Sequence, residues 1–250
     1  MIMIRMIKKV LFLFLIFSIE VQAATLSFDG VNDLVNMGVP PALAITSNIT
    51  LSAWVNVTAF PTSGNIGVFI EKGSDGATIE SYMIRLRTPG GVQQLESGTF
   101  DGTNQYVQWS ISGWSVNTWH FIVGRFDGTT WKVFFDGVEK QSLNSTVPPQ
   151  STSFRSTIGA RDVNGTFSNF YNGLISNVRI FNRALSQREI SEIYACADSP
   201  ISTNTVGSWM LWESSGTFDL SQQSSSGTYV GNPVLVSETP PLNFCQGRLP

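Results

Sequence analysis

The residue types that carry out most enzyme chemistry are sparse in this sequence. Its single histidine, His120, lies in the alternating stretch TWHFIVGRF, which is more typical of a half-buried packing residue than of a catalytic base. No G-x-S-x-G nucleophile motif is present, and one histidine without clustered cysteines or acids cannot form a zinc site. The acids Glu71 and Asp75 in EKGSDG indicate a strand end and its turn. We therefore predict no catalytic residues, although a glycosidase pair built from carboxylates distant in sequence stays open.

Aromatic and amide side chains favour a binding site instead. In the stretch QYVQWSISGW, Tyr106 and Gln108 share one face of an alternating strand, while Trp109 lies on the other face, which we expect to point inward. Exposed aromatic rings stack on sugar rings, and amides bond the sugar hydroxyls. The predicted ligand-binding residues belong to this strand and to two loops: Tyr106, Gln108, Trp114, Tyr171 and Asn172.

The first residues predict export. Residues 1–23 contain a basic start (MIMIRMIKK), an apolar run and the small-residue ending VQA, which is the pattern of a signal peptide cleaved after Ala23. The apolar run is about half of the roughly 20 residues that a membrane-spanning helix needs, so a membrane anchor is the weaker interpretation. We expect a secreted or periplasmic protein with no membrane insertion after cleavage.

The composition excludes some partners. The full chain has a formal net charge of -3, and removal of the leader, with three basic residues and one acidic residue, takes it to about -5. Nucleic acid and anionic membrane surfaces attract basic proteins, so neither is expected as a partner. The remaining length fits one large all-β domain as well as two small ones.

Two cysteines, Cys196 and Cys245, follow the leader. In an oxidising compartment, an even pair in one chain is most simply a disulfide, and two unpaired buried thiols are the alternative. A bridge would close a loop worth about 3–4 kcal/mol in the chain-entropy model, and would tie down the C-terminal tail.

Short alternating or β-branched runs recur at roughly ten-residue spacing, separated by turn residues, as in β-sandwiches and barrels. Phe-Asp-Gly occurs four times, and its aspartates are expected to bond their own turn backbone: Asp29, Asp101, Asp127 and Asp136. Near the end, LISNVRIF alternates like a strand. Ser186 and Glu189 then form a capping box that opens one short amphipathic helix.

The order of these motifs resembles the laminin-G-like jelly-roll domains of the concanavalin-A-like lectin and glucanase group. The resemblance rests on LSFDGVNDLVNMG, ITLSAWVNV, FIEKG, WHFIVGRFDGTTWKVFFDGVEK, STIGA and FYNGLISNVRIFNRALSQREISEIY, and it covers roughly residues 25–195. It implies an all-β jelly-roll β-sandwich of two antiparallel sheets with one short C-terminal helix. We expect a single domain over 24–250, with core motifs at 25–195 and a closing tail at 196–250.

The resemblance also implies a rim calcium site. Relatives commonly carry acids where this chain has Ser176 and Asn177, and oxygen ligands without charge lower calcium affinity. The candidate calcium ligands that remain are Asp29, Asn32 and Asp33, of which Asp29 and Asn32 are also ordinary turn residues. The strand motif Glu-x-Asp-x-(x-)Glu of the related glucanases is absent from the sequence.

Taken together, these features favour a secreted, non-catalytic, lectin-like module that binds carbohydrate on a surface or in a matrix. A structural or adhesion protein that binds a cell-surface protein is the alternative, and a glycoside hydrolase is the weaker third class.

The predicted disulfide is tested by thiol titration of the denatured mature protein. We expect no reactive thiol before reduction and two after it, because Cys196 and Cys245 are the only cysteines. The reduced sample is the control, and two thiols titrating in the unreduced protein would contradict the bridge.

Overall fold

The computed structural model describes residues 24–62, 64–76, 78–196 and 204–241. These residues form a chain of β-strands interrupted by one α-helix and by two short 3₁₀ helices at Pro41–Leu43 and Pro89–Gly91. In order, the elements are β1 (Thr25–Asp29), β2 (Leu34–Gly38), β3 (Ile49–Val57), β4 (Ile66–Ser74), β5 (Glu80–Arg87), β6 (Gln94–Phe100), β7 (Asn104–Ser110), β8 (Trp119–Phe126), β9 (Thr130–Phe135), β10 (Val138–Asn144), β11 (Ser156–Ile158), β12 (Arg161–Val163), β13 (Thr166–Ser168), β14 (Asn172–Phe181), α1 (Gln187–Ala195), β15 (Thr205–Trp209), β16 (Thr228–Val230) and β17 (Val234–Val236).

The strands form two sheets. The first sheet has the order β10-β9-β8-β3-β14-β1-β17, with β15 also paired to β14. The second has the order β16-β2-β11-β4-β5-β6-β7, with the β12–β13 hairpin attached to β4. Neighbours pair antiparallel, apart from a single parallel bridge between β12 and β4. The predicted all-β jelly-roll sandwich with one short helix is confirmed.

The main core lies between the two sheets. Alternate residues of each strand point inward, as the period of two along a strand requires. Leu51 and Ile122 of the first sheet and Ile84 and Leu95 of the second are fully buried in one apolar cluster. In β7, Val107 is buried in this cluster and Trp109 packs against it while half-exposed, so the predicted inward face of β7 is confirmed.

Helix α1 covers the outer face of the first sheet. The predicted capping box is present: the Ser186 side chain accepts from the Glu189 backbone N–H, and the Glu189 carboxylate accepts from the Ser186 N–H. Ile190 and Ile193 pack into a second apolar cluster with Trp54 and Phe121. The helix therefore seals a face of the sheet rather than an end of the sandwich.

The Asp-Gly turns follow the expected chemistry at three of four positions. Asp29 Oδ1 accepts from the Val31 N–H, Asp101 Oδ1 from the Thr103 N–H, and Asp127 Oδ1 from the Thr129 N–H. Asp136 differs, because its carboxylate reaches across to the neighbouring strand, accepting from the Phe121 N–H and bonding His120 Nδ1 at 2.9 Å. His120 stacks on Phe135 and is half-buried, as predicted.

The C-terminal tail contributes strands to both sheets. β15 pairs with β14 and β17 with β1 in the first sheet, while β16 pairs with β2 in the second. Trp209, at the end of β15, is fully buried in the core, and its indole N–H donates to the Ser225 carbonyl at 3.0 Å. Its ring occupies the space above Gly207, where a Cβ would lie 2.1 Å from the ring. The tail is thus an integral part of the sandwich.

Two predictions concern residues outside the described ranges. The leader at 1–23 and the partner cysteine Cys245 both lie there, so cleavage after Ala23 and the Cys196–Cys245 bridge stay predictions. Among the described residues, no helix combines the length and the apolar character needed to cross a bilayer.

Trp209→Ala is expected to destabilise the protein by about 3–5 kcal/mol, because it opens a cavity in the core and leaves the Ser225 carbonyl without its donor. Trp212→Ala is the matched control, since the Trp212 side chain is 42% exposed in the same tail. Urea denaturation measures both, and the control should change the free energy of unfolding by less than about 0.5 kcal/mol. Equal effects of the two substitutions would contradict the role of the tail in the core.

Candidate functional site

A groove of about 400 Å³ opens at one end of the sandwich. It lies where three connections meet, those between β1 and β2, between β3 and β4, and between β13 and β14. We call it the rim groove, and its walls are Gly30, Ala59, Phe60, Pro61, Thr62, Asn65, Ile66, Gly67, Asn169, Phe170, Tyr171 and Asn172. Its volume falls within the range of roughly 300–1,000 Å³ that is usual for small-molecule sites.

Hydrogen bonds between the connections hold the rim groove in shape. Asn172 Nδ2 donates to the Asp29 carbonyl at 3.1 Å, which joins the start of β14 to the β1–β2 turn. The backbone of Gly30 has φ of 78°, and a Cβ on it would lie 2.8 Å from the Asn172 Cβ. The turn can therefore approach Asn172 this closely only with glycine at position 30. The opposite wall is tied down by the Asn65 N–H, which donates to the Thr62 carbonyl at 2.9 Å.

The rim groove is lined by neutral polar and aromatic groups. Asn65 is exposed, and Asn169, Phe60 and Phe170 are half-buried, so amide and ring surfaces both reach the opening. No lining residue carries a charge at neutral pH. The only titratable one is Tyr171, and burial raises its pKa well above the ordinary value. Such a surface suits an uncharged ligand that has hydroxyl groups and apolar CH faces.

The structure separates the five predicted ligand-binding residues. Tyr171 and Asn172 lie at the rim groove, Tyr106 and Gln108 lie on the outer face of the second sheet, and Trp114 lies in the core. The prediction that the loop rings of Trp114 and Tyr171 are exposed is wrong. The sequence shows that both follow turn residues, but not that their rings fold back under the loops.

Each of these two rings has a packing role. Trp114 is 6% exposed and packs edge-to-face on Phe135 at 5.2 Å. Tyr171 is 1% exposed, its ring packs against Phe69 at 5.0 Å, and its hydroxyl donates to the Asn56 carbonyl at 2.7 Å. Neither ring is available to stack on a ligand, and Tyr171 instead supports the floor of the rim groove.

The outer face of the second sheet carries a network of charges, which we call the outer-face cluster: Glu71, Glu80, Arg85, Glu96, Tyr106 and Arg161. Arg161 bonds Glu71 Oε1 at 3.0 Å and Glu80 Oε1 at 2.9 Å. Arg85 bonds Glu80 at 3.2 Å and Glu96 at 2.9 Å. The three carboxylates are fully buried. Sequence reasoning missed this cluster, although SYMIRLR places Arg85 on the face opposite Ile84 and Leu86.

Tyr106 and Gln108 belong to this cluster rather than to an open binding face. The Tyr106 hydroxyl donates to Glu80 Oε2 at 2.6 Å, and the Arg85 guanidinium lies over its ring at 4.7 Å. Burial and the charge of Glu80 raise the pKa of Tyr106, so the phenol keeps its proton. Gln108 is exposed, and its Nε2 donates to Glu96 Oε1 at 2.7 Å.

Glu71 and Glu80 have opposite protonation states. Burial, reinforced by the nearby charge of Glu80, raises the pKa of Glu71 well above its ordinary value. Burial alone would raise the pKa of Glu80 as well, but the positive charges of Arg85 and Arg161 lower it below its ordinary value. These opposite shifts favour the neutral acid at Glu71, which can donate a hydrogen bond, and the carboxylate at Glu80, which can accept one.

This pair does not have the geometry of a glycosidase. Retaining and inverting glycosidases hold their two carboxyl groups roughly 5–10 Å apart, across a sugar bound between them. Glu71 and Glu80 instead share Arg161, which bonds them at 3.0 and 2.9 Å, and both side chains are closed to solvent. No sugar ring fits between them, so the outer-face cluster is a structural network.

The two acids among the predicted calcium ligands Asp29, Asn32 and Asp33 accept hydrogen bonds from backbone donors, and Asn32 contributes its own N–H to Asp29. Asp29 Oδ1 accepts from the N–H groups of Val31 and Asn32, and Asp33 accepts from those of Asp29 and Asn232. Asp33 is 2% exposed. Within the part of the chain that the structure describes, no group of three acidic, histidine or cysteine side chains could hold a metal ion. These N–H groups hold the two carboxylates in the turn, and calcium binding there stays a prediction.

Ser176 and Asn177 lie far from this turn. Asp29 pairs with Asn172, and Ser176 follows four residues later along β14, which is about 13 Å at the rise of a strand. Ser176 Oγ donates to the Met210 carbonyl at 3.3 Å, and the Asn177 N–H donates to the same carbonyl at 3.4 Å. Both residues therefore hold the C-terminal tail, at a bulge where Asn177 has φ of 48°.

The chain belongs to the concanavalin A-like lectin/glucanases superfamily. The Laminin_G_3 family model, which carries that description, matches residues 29–191. This confirms the family predicted from the motif order. Comparison with curated proteins finds no matching sequence.

Solved structures share the fold at low sequence identity. A crystal structure from Bacteroides ovatus named a "putative carbohydrate binding protein" is 16% identical with a TM-score of 0.64; the match covers 90% of this chain and 62% of that one. The native heptameric SAP-like pentraxin of Limulus polyphemus is 15% identical with a TM-score of 0.55; the match covers 72% of this chain and 85% of that one. This chain thus spans less than two thirds of the Bacteroides protein. At these identities, the likeness shows the fold alone.

The protonation of the buried pair predicts unequal effects of two matched substitutions. Glu80→Gln should destabilise the protein by about 3 kcal/mol, because it leaves Arg85 and Arg161 without their shared carboxylate. Glu71→Gln should cost less than about 1 kcal/mol, because an amide N–H replaces the acid proton that bonds Glu80. Urea denaturation at pH 7 measures both, and equal losses would contradict the assignment.

The pH dependence supplies a second test of the same pair. The folded protein retains the Glu71 proton, while the unfolded chain releases it as pH rises past 4.5. The contribution of Glu71 to the free energy of unfolding therefore falls as pH rises above that value. Glu71→Gln removes this contribution, so the stability of the variant relative to the wild type should rise between pH 5 and pH 8. A constant difference would contradict a raised Glu71 pKa.

Proposed function

We propose that this protein is a non-catalytic carbohydrate-binding module that takes up sugar in the rim groove. The observation that carries the proposal is the lining of that groove, which combines amide side chains with half-buried aromatic rings and contains no charge. The fold supports it, because the family includes lectins.

The chemistry of the lining fits a neutral sugar ring. Asn65, Asn169 and Asn172 offer amide donors and acceptors of the kind that bond sugar hydroxyls, and Phe60 and Phe170 offer ring surface to the CH groups. Because Asn172 and Gly30 are fixed by the contact between β14 and the β1–β2 turn, the groove is formed before a ligand arrives. A preformed site avoids the entropic cost of ordering loops on binding.

The proposed module acts by binding alone. The paired carboxyl groups of Glu71 and Glu80 serve the folded structure and lie outside the groove, and His120 is committed to Asp136 and Phe135. Nothing in the groove lining can act as a general acid or as a nucleophile for a glycosidic bond. We further propose a secreted or periplasmic location, on the strength of the signal-like residues 1–23.

A specific surface feature favours a second candidate function, adhesion to a protein partner. Large apolar side chains are exposed in the described part of the tail, among them Trp212 at 42%, Phe218 at 68% and Leu220 at 53%. Exposed apolar side chains mark an interaction site when they form one contiguous patch, and these three lie close together in the sequence. This candidate needs no sugar and predicts that blocking the rim groove leaves binding unchanged.

A substitution that fills the rim groove tests whether the groove is the glycan-binding site. Ala59 is exposed on the wall of the groove, so Ala59→Trp should place a bulky ring in the opening without disturbing the core. On a glycan array probed with the full mature protein, we expect Ala59→Trp to reduce binding at least tenfold, because the ring occupies the volume of the sugar. Ala44→Trp is the matched control, since Ala44 is an exposed alanine outside the groove and its substitution should leave binding unchanged.

Melting temperatures verify that both variants fold. If the wild type binds a glycan and Ala59→Trp binds it equally well, the binding site lies outside the groove. An array without any bound glycan would overturn the carbohydrate proposal and favour the adhesion candidate.

A further inference from the structure

A cationic side chain lies directly beside the rim groove. Arg87 of β5 is the cross-strand partner of Ile66 of β4, and Ile66 is part of the groove wall. Directly paired residues on one face of a sheet have Cβ atoms about 5 Å apart. The same row continues to Gln94 of β6 and Ser110 of β7, which are polar and accessible to solvent. A polar row of side chains that begins with Arg87 thus starts next to Ile66 of the groove wall, although Arg87 is not itself part of that wall.

Arg87 has hydrogen-bonding capacity to spare. Its one ion pair in the described part of the chain is a long contact of 3.5 Å, from a terminal guanidinium nitrogen to Glu96 Oε1. Its Nε is buried and has no hydrogen-bond partner among the described residues. The side chain is 38% exposed. The buried Nε cannot reach solvent, so the donors available to an anion are the terminal nitrogens, one of which makes only the long contact to Glu96.

Glu96 is not free to neutralise Arg87. Its Oε2 bonds Arg85 at 2.9 Å, and its Oε1 already accepts from Gln108 at 2.7 Å. Glu71, Glu80 and Glu96 face the three arginines 85, 87 and 161 in this region. Burial raises the pKa of Glu71 and so favours its neutral form, which leaves the three arginines incompletely balanced by carboxylates. Arg87 is the most exposed of the three arginines, so the surplus charge meets solvent there.

We propose that the rim groove and Arg87 together select an acidic glycan, with a neutral sugar ring in the groove and the oxyanion of an adjacent sugar at Arg87. The oxyanion is a carboxylate or a sulfate ester, both of which the planar guanidinium can bind through two N–H donors. This inference rests on the proposed function. Because the protein as a whole is acidic, the attraction is local to this arginine and does not extend to polyanions in general.

The experiment uses an array of neutral oligosaccharides, each printed beside its hexuronate and its O-sulfated counterpart, and probed with the full mature protein. We expect the wild type to prefer an acidic member of a matched set over the neutral one by about tenfold, the usual scale for one charged hydrogen-bonded pair. Preference for the hexuronate or for the sulfate identifies which oxyanion is bound. Equal binding of neutral and acidic members, or no binding, would overturn the inference.

Arg87→Gln should abolish this preference while binding of the neutral members stays unchanged. Arg87→Lys keeps the charge without the fork of donors and should restore part of the preference. Arg188→Gln is the matched control, because Arg188 of α1 is 85% exposed and its substitution removes the same charge from another surface. A preference that persists in Arg87→Gln would overturn the role of Arg87.

The two proposals fail in distinguishable ways. Loss of the acid preference in Arg87→Gln, with neutral binding intact and Ala59→Trp inactive, supports both. Neutral binding that Ala59→Trp removes, without any acid preference in the wild type, leaves the groove as a sugar site and overturns the inference. Binding that neither substitution affects overturns both.

Discussion

The hydrogen bonds of strand β14 position the rim groove, the C-terminal tail and helix α1. This strand pairs with β3 along one edge and with both β1 and β15 along the other. Its first residue, Asn172, closes the rim groove against the β1–β2 turn. Its bulge turns the Asn177 N–H toward Met210 of the tail, and its end leads into the capped helix α1. A register shift in this one strand would displace the groove, the tail and the helix together.

The buried charges show why a family that includes glucanases yields a closed face in this chain. Arg161 comes from β12 and reaches over β4 to bind Glu71 and Glu80, so the hairpin of β12 and β13 covers part of the second sheet. Buried ion pairs of this kind add little net stability but are costly to break, which makes the arrangement specific. The carboxylates of Glu71, Glu80 and Glu96 are buried in the protein interior. The rim groove, which is open to ligands, lies at the end of the sandwich.

The sequence predicts the fold well and the site only in part. Strand alternation, Asp-Gly turns and the capping box of Ser186 and Glu189 are local signals, and all appear in the structure. The burial of Trp114 and Tyr171 depends on where distant strands place Phe135 and Phe69, which no local pattern encodes. The rim groove could not be predicted either, because its wall at 169–172 comes from a connection more than a hundred residues after the other two, as the pairing of Asp29 with Asn172 shows.

The pairing of β1 with β17 determines when the molecule can become complete. Leu26 lies opposite Leu235, so the pairing of β1 is completed only by a strand that is synthesised much later in the chain. Native contacts between residues so far apart in sequence slow folding, because a long loop must close before the contact gives any stabilisation. Until then, β1 has one unpaired edge and the place of Trp209 in the core is unfilled. A nascent chain is therefore committed to its native state only after β17 has been made, and termination within the tail before β17 would leave an open sheet edge rather than a smaller domain.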